Sequence, residues 1–320
     1  MPMSPQTRAV VDAATAAFPK LGTEVLDAAE ARRFLAARSA PALGPIPVAA
    51  VWDSLVVSSS VVPAASGTNP PVPVRVYRPA DTPDPLPVVM FCHGGGFVIC
   101  GLDSHDRFCR TIANATGALV ISVDYRRAPE HPFPAAVIDA DTVLRWIATH
   151  AEEIGGDPTR IAVAGDSAGG NLATVAALLA RDHAGPRIAM QLLMYPMLDP
   201  TRSAPSHREN AHGYFTTADH LRWYWRQYLP DGTSTDPHAA PLLADPSGLP
   251  PAHIVTAEYD PLRDEGEAYA HHLAAAGVAA EIHRYDDMFH GFMTMSDNLP
   301  TARRANDTAF AALRKALNDR

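Results

Sequence analysis

Short, continuous apolar runs recur along the chain and alternate with longer stretches whose apolar positions fall at helical spacing. "LPVVMFCHGGG" (86–96), "ALVISVDYR" (118–126), "RIAVAG" (160–165), "IAMQLLMYP" (188–196), "PAHIVTAEYD" (251–260) and "AEIHRYDD" (280–287) read as strands. The continuous runs among them fit strands buried on both faces of a sheet. Helices are predicted in "HDRFCRTIANATG", closed by Gly117, in "AAVIDADTVLRWIATHAEEIG", closed by Gly155, and in "GGNLATVAALLARD" and "DEGEAYAHHLAAAG". This alternation implies right-handed crossovers and a parallel sheet. Ahead of it, "SLVVSSSVVPA" (54–64) and "PVPVRVYRP" (71–79) alternate as an antiparallel pair would.

Two stretches stand outside the alternation. Residues 5–38 look helical, with Val10, Val11, Ala14, Phe18, Val25, Ala29 and Ala36 at helical spacing. Residues 200–235 crowd Tyr214, Phe215, Trp223, Tyr224, Trp225 and Tyr228 into one insertion. It reads either as a surface helix filling its own contact with the sheet domain or as a lid whose aromatics line an apolar pocket.

At 320 residues, 47% hydrophobic and 19% charged, the chain has the composition of a globular protein able to bury a large core. The net charge of −9 gives no basic footprint for nucleic acid. No apolar run is long enough for a membrane span, and the N-terminus lacks a charged segment followed by an apolar one. Cys92, Cys100 and Cys109 are odd in number and lack metal-ligand spacing, so they read as free thiols in a reducing compartment. The expected location is therefore cytoplasmic, with no metal and no cofactor.

Chemistry concentrates in "IAVAGDSAGGNLA" (161–173). Gly165-x-Ser167-x-Gly169 between a strand run and a helix run is either an ordinary turn or a nucleophile elbow. In an elbow the serine hydroxyl stands at the carboxyl edge of the sheet, and the glycines are required because a Cβ at either would strike a neighbouring element. Acyl transfer by a serine needs a base, a residue to orient it, and donors for the oxyanion. "HGGGF" (93–97) supplies bare amides: Gly94 and Gly95, together with Ala168 after the serine, are the expected donors, with His93 bracing the loop. Asp260 sits at the carboxyl end of a strand run and is the first choice for the acid, with Asp264 second. Among 14 histidines, His290 in "DDMFHGFM" follows the last strand and completes the order Ser, Asp, His.

These stretches resemble the bacterial hormone-sensitive-lipase-like esterases, a group of α/β-hydrolases. The resemblance spans residues 73–295 and rests on "HGGGFVICGLDSHDRFCR", "DYRRAPEHPFPAA", "GDSAGGNLA", "EYDPLRDEG" and "FHGF". It implies an α/β-hydrolase fold with a mostly parallel central sheet and a helical cap. The core would be 46–199 with 236–320, and the cap 1–45 with 200–235. It implies Ser167 as nucleophile, Asp260 as acid, His290 as base, and Gly94, Gly95 and Ala168 as oxyanion donors. Phe97, Asp166, Tyr195, Tyr214, Phe215 and Trp223 are the candidate substrate contacts, with Asp124, Glu130 and Asp166 also read as structural supports. Arg127 stands where the family usually has leucine. The expected activity is hydrolysis of short-to-medium acyl or aryl esters. An amidase or deacetylase on the same triad, and a non-catalytic receptor for a small molecule, are the alternatives. The run "AEIHRY" is a candidate homodimer surface.

Overall fold

The computed structural model describes residues 3–38, 44–57, 60–63, 69–80 and 82–319. In chain order the elements are α1 (Pro5–Ala17), α2 (Ala28–Arg38), β1 (Ala50–Val56), β2 (Val72–Arg78), β3 (Leu86–Cys92), α3 (Leu102–Thr116), β4 (Leu119–Val123), α4 (Ala135–His150), β5 (Gly156–Asp166), α5 (Ala168–Asp182), β6 (Ile188–Met194), α6 (Ser206–Glu209), α7 (Ala218–Tyr228), β7 (Ala252–Tyr259), α8 (Arg263–Ala275), β8 (Ala280–Phe289) and α9 (Pro300–Asn318). The strands form one eight-stranded sheet in the order β1-β2-β4-β3-β5-β6-β7-β8. β2 pairs antiparallel with β1 and β4, and every pairing from β4 through β8 is parallel. This is the α/β-hydrolase fold expected from the sequence.

Burial explains the layers. β3 and β4 are buried along their whole length, and β6 and β7 along most of theirs, so helices must cover both faces. Phe108 and Ile112 of α3 join Phe310 and Leu313 of α9 in the core on one face. Val143 and Ile147 of α4, Leu172 and Leu179 of α5, and Leu273 of α8 fill the other. Gly117 closes α3 in the left-handed conformation, and Gly155 closes the short 3₁₀ turn that follows α4.

Two expectations are corrected. The first strand was expected at 54–64 but occupies Ala50–Val56, because its register against β2 ends at Val56 opposite Val72 and, among the described residues, no strand pairs with the apolar positions beyond. Residues 58–59 and 64 of that run lie outside the described residues, as do 1–2 and 39–43 of the N-terminal segment. The helical stretch expected over 5–38 is two helices. Between them Leu21 bridges to Val25, with Gly22 at φ +79°. A proline at 19 and a left-handed glycine at 22 break the helix there.

The N-terminal helices and the 200–235 insertion meet each other above the sheet. The indole of Trp223 donates to the Leu26 carbonyl at 2.9 Å, and Phe18 packs edge-on against Phe215 with ring centroids 5.1 Å apart. Arg32 of α2 ties this layer to the core through the Val98 and Ala128 carbonyls (2.7 Å each) and Glu130 (2.8 Å). No helix among the described residues is long and apolar enough to cross a membrane.

Candidate active site

Ser167 stands between the last residue of β5 and the first of α5, at φ +56° and ψ −119°. A non-glycine residue held there stores on the order of 1–3 kcal/mol of strain. Three backbone bonds hold it: Ser167 N donates to the Met194 carbonyl (2.9 Å), and its own carbonyl accepts from Met197 N (3.1 Å) and Asn171 N (3.3 Å). The turn is tight enough that a Cβ on Gly165 would collide with the Gly169 backbone, and one on Gly169 with the Cys92 carbonyl. Both glycines are therefore obligatory, which excludes an ordinary loose turn.

The hydroxyl faces an imidazole. His290 Nε2 lies 3.0 Å from Ser167 Oγ, and His290 Nδ1 lies 2.8 Å from Asp260 Oδ2. Each ring nitrogen has one partner, so Nδ1–H donates to the carboxylate and Nε2 is left to accept the hydroxyl proton. Asp260 follows β7, is fully buried, and is held by the Leu262 amide on Oδ1 (2.8 Å). Burial alone would push the His290 pKa down, but the charge and hydrogen bond of Asp260 outweigh it and hold the pKa above the ordinary value. Asp264, the second choice, is turned away: it pairs with Arg263 (2.8 Å) and accepts from Ser206 N (2.8 Å).

The glycine loop after β3 departs from expectation at one position. Gly94 N–H, expected to serve a substrate oxygen, donates instead to Asp166 Oδ1 at 2.8 Å. The next two amides, of Gly95 and Gly96, have no hydrogen-bond partner among the described residues, and both residues line the cavity at Ser167. Ala168 N–H opens α5, where an amide has no acceptor within the helix. His93 braces the loop as expected: its Nδ1 donates to the Gly94 carbonyl (2.7 Å), its ring stacks on Tyr125, and burial drives its pKa to about 3.

A cavity of about 160 Å³ opens over Ser167. Asp166 and Phe215 line it, as expected; Phe97, Tyr195, Tyr214 and Trp223 do not. Phe97 is buried against Tyr228, with centroids 3.8 Å apart. Tyr195 packs behind His290 at 4.9 Å. Tyr214 stacks on Tyr259, and Trp223 packs on the N-terminal segment. In their place Phe18, Ile99, Leu221, Tyr224 and Met295 supply the apolar wall. Phe18 and Leu221 belong to stretches singled out in the sequence, but periodicity alone does not say which side of a cap helix faces inward.

Asp166 was also read as a structural support, whereas the supporting roles of Asn210 and Glu265 were missed. Asp166 is buried with His105 Nε2 3.3 Å away; burial raises its pKa, but His105, His93 and the Gly94 amide offset this and keep it a carboxylate. Asn210, in the insertion, donates to the carbonyls of Glu258 (3.2 Å) and Asp260 (3.1 Å). Buried Glu265 accepts from the Asp199 amide (2.6 Å) and faces His207 Nε2 (3.0 Å). Neither the insertion around Asn210 nor the acidic first turn of α8 around Glu265 carries a pattern that separates a buried support from a solvated residue.

Residues 89–294 match the family model of the alpha/beta hydrolase fold. The chain is 48% identical over 252 residues to carboxylesterase NlhH of Mycobacterium tuberculosis, covering 77% of this chain and 79% of that protein. It is 39% identical over 253 residues to ethyl acetate hydrolase of Pseudomonas putida, again covering 77% and 79%. Among solved structures, the hyperthermophilic esterase of Pyrobaculum calidifontis superposes with a TM-score of 0.86 at 40% identity, over 98% of this chain and 99% of that one. The chain therefore belongs to the hormone-sensitive-lipase-like esterases of the α/β-hydrolase family and is a carboxylic ester hydrolase.

Proposed function

We propose that Ser167 is the nucleophile, His290 the general base and Asp260 the residue that orients it, acting on esters with short-to-medium acyl or small aryl groups. The observation that carries this reading is the unbroken chain from hydroxyl to imidazole to carboxylate at 3.0 and 2.8 Å. In the first half-reaction His290 Nε2 takes the Ser167 proton as Oγ bonds to the ester carbonyl carbon. The carbonyl oxygen becomes an oxyanion received by the Gly95, Gly96 and Ala168 amides, with the positive end of α5 behind it. Collapse breaks the bond to the alcohol, which leaves with the proton from His290. Water then enters as the second nucleophile. It loses a proton to His290, attacks the acyl-enzyme, and releases the acid while Ser167 recovers its proton.

Cavity size supports the substrate class. An apolar cavity of about 150 Å³ holds one benzene ring, so about 160 Å³ here suits a short acyl chain or a single aryl group. The cap, formed by the N-terminal segment and the 200–235 insertion, supplies most of the apolar wall. Three free cysteines fit the reducing, cytoplasmic compartment proposed for the chain, and the open edge of β8 fits pairing of two copies.

A series of p-nitrophenyl esters of increasing acyl length, beside the matching p-nitroanilide, tests the reading. The expected result is a maximum in kcat/KM among the short chains and far slower amide cleavage. A maximum among long chains, or an amide cleaved as fast as its ester, would contradict it.

A further inference from the structure

The amino ends of β7 and β8, the opposite edge of the sheet from Ser167, carry a second cluster of chemically active side chains. His253 is the second residue of β7, and Glu281 the second of β8, and the two face each other in register. Their side chains therefore share one face of the sheet, and His283, two residues further along β8, shares it too. His253 Nδ1 lies 3.4 Å from Glu281 Oε2, and His283 Nε2 lies 2.7 Å from Glu281 Oε1. The two imidazoles stack with centroids 4.9 Å apart. One ligating atom from each of the three residues can be chosen so that all lie within 4.8 Å of one another. Among the described residues this is the one group of three such side chains so arranged.

The burial of His253 points to a ligand. Its side chain is 1% exposed, yet neither ring nitrogen has a hydrogen-bond partner of proper geometry among the described residues. An unsatisfied buried imidazole is costly, and native structures rarely keep one without a use. The outer side of the cluster is open, since Glu281 and His283 are 61% and 33% exposed.

We propose that His253, Glu281 and His283 bind a divalent transition ion of the zinc class. Two imidazoles and one carboxylate are a donor set that zinc accepts in tetrahedral geometry, with the fourth position left to water. The ion takes the place of the proton that His283 Nε2 shares with Glu281 Oε1, and that proton passes to solvent. Because one ligand lies on β7 and two on β8, the ion ties the outermost strand of the sheet to its neighbour.

The test is a zinc titration of the purified chain in competition with a chromophoric chelator, with the thermal midpoint measured in parallel. H290N serves as a control for zinc captured at the active site. One tightly bound equivalent is expected in both the unaltered chain and H290N, with a raised midpoint at saturating zinc. H283A and E281Q alter side chains on the open side of the cluster, away from Ser167, and are expected to stay folded and hydrolyse esters. In each, zinc affinity should fall at least tenfold and the shift in midpoint should vanish. Absence of a stoichiometric equivalent, its loss in H290N, or unchanged affinity in H283A and E281Q would overturn the proposal.

Discussion

Asp260 matters most through what it does to His290. In the proposed mechanism the base must be neutral to accept the serine proton, so kcat/KM is expected to fall as pH drops through the His290 pKa. That pKa stands above the ordinary ~6.5 because the Asp260 charge outweighs burial. In D260N the charge is gone and burial dominates. The acid limb of the pH profile is then expected to move to lower pH, while the plateau rate falls by about 10⁴ as the ring loses its preferred tautomer. An unmoved limb would mean that another group sets the imidazole pKa. At this scale the juxtaposition of Ser167, Asp260 and His290 was legible in the sequence, because Gly165-x-Ser167-x-Gly169, Asp260 and His290 each follow a strand run in the order the fold demands. Gly94 was not. Whether an amide in a glycine run is free depends on an acceptor 72 residues away, the Asp166 carboxylate.

Element by element, continuous apolar runs marked β3, β4, β6 and β7 because a strand covered on both faces leaves no polar position to blur its ends. β1 was harder: its limits are set by the length of β2, not by its own apolar pattern. Of the side chains that the N-terminal segment and the 200–235 insertion turn toward the cavity, only Phe215 was named from the sequence as a substrate contact. Phe215 and Tyr224 reach the cavity while Tyr214 and Trp223, one residue away from each, pack elsewhere. Gly96 shows how close the cap comes, since a Cβ there would fall on the Tyr224 ring. Trimming this wall should lengthen the accepted chain. Phe215→Ala is expected to shift the optimum of the p-nitrophenyl series by one or two methylenes, with about fourfold in kcat/KM for each methylene newly buried. An unchanged profile would show that the cap does not bound the acyl site.

For the molecule as a whole, contacts between distant segments decide what sequence patterns cannot. The N-terminal segment reaches the cavity through Phe18, whose partners Phe215 and His220 lie some two hundred residues further along the chain. Burial of histidines also gives the protein a pH-dependent stability. The pKa of His93 is driven to about 3 and that of His220 to about 4, and His253 is lowered as well, in each case chiefly by burial. An unfolded chain titrates these rings near ~6.5, so below that pH it binds more protons than the folded chain. Their contribution is complete above ~6.5 and is lost as pH falls toward the folded values, at up to about 1.4 kcal/mol per pH unit for each ring. His290, with its raised pKa, acts in the opposite sense but is one ring against three. Urea unfolding at pH 7.5 and pH 5 should therefore show lower stability at pH 5; equal or higher stability there would contradict the assignment of these rings as neutral.

The central claim is that the hydroxyl at Ser167, activated by His290, is the group that becomes acylated. Labelling the protein with a p-nitrophenyl phosphonate and locating the adduct by peptide mass spectrometry addresses it most directly. One adduct on Ser167, formed in step with loss of esterase activity, absent in S167A and greatly slowed in H290A, is the expected result. Inactivation with the adduct on any other residue, or hydrolysis by S167A at the rate of the unaltered chain, would contradict it.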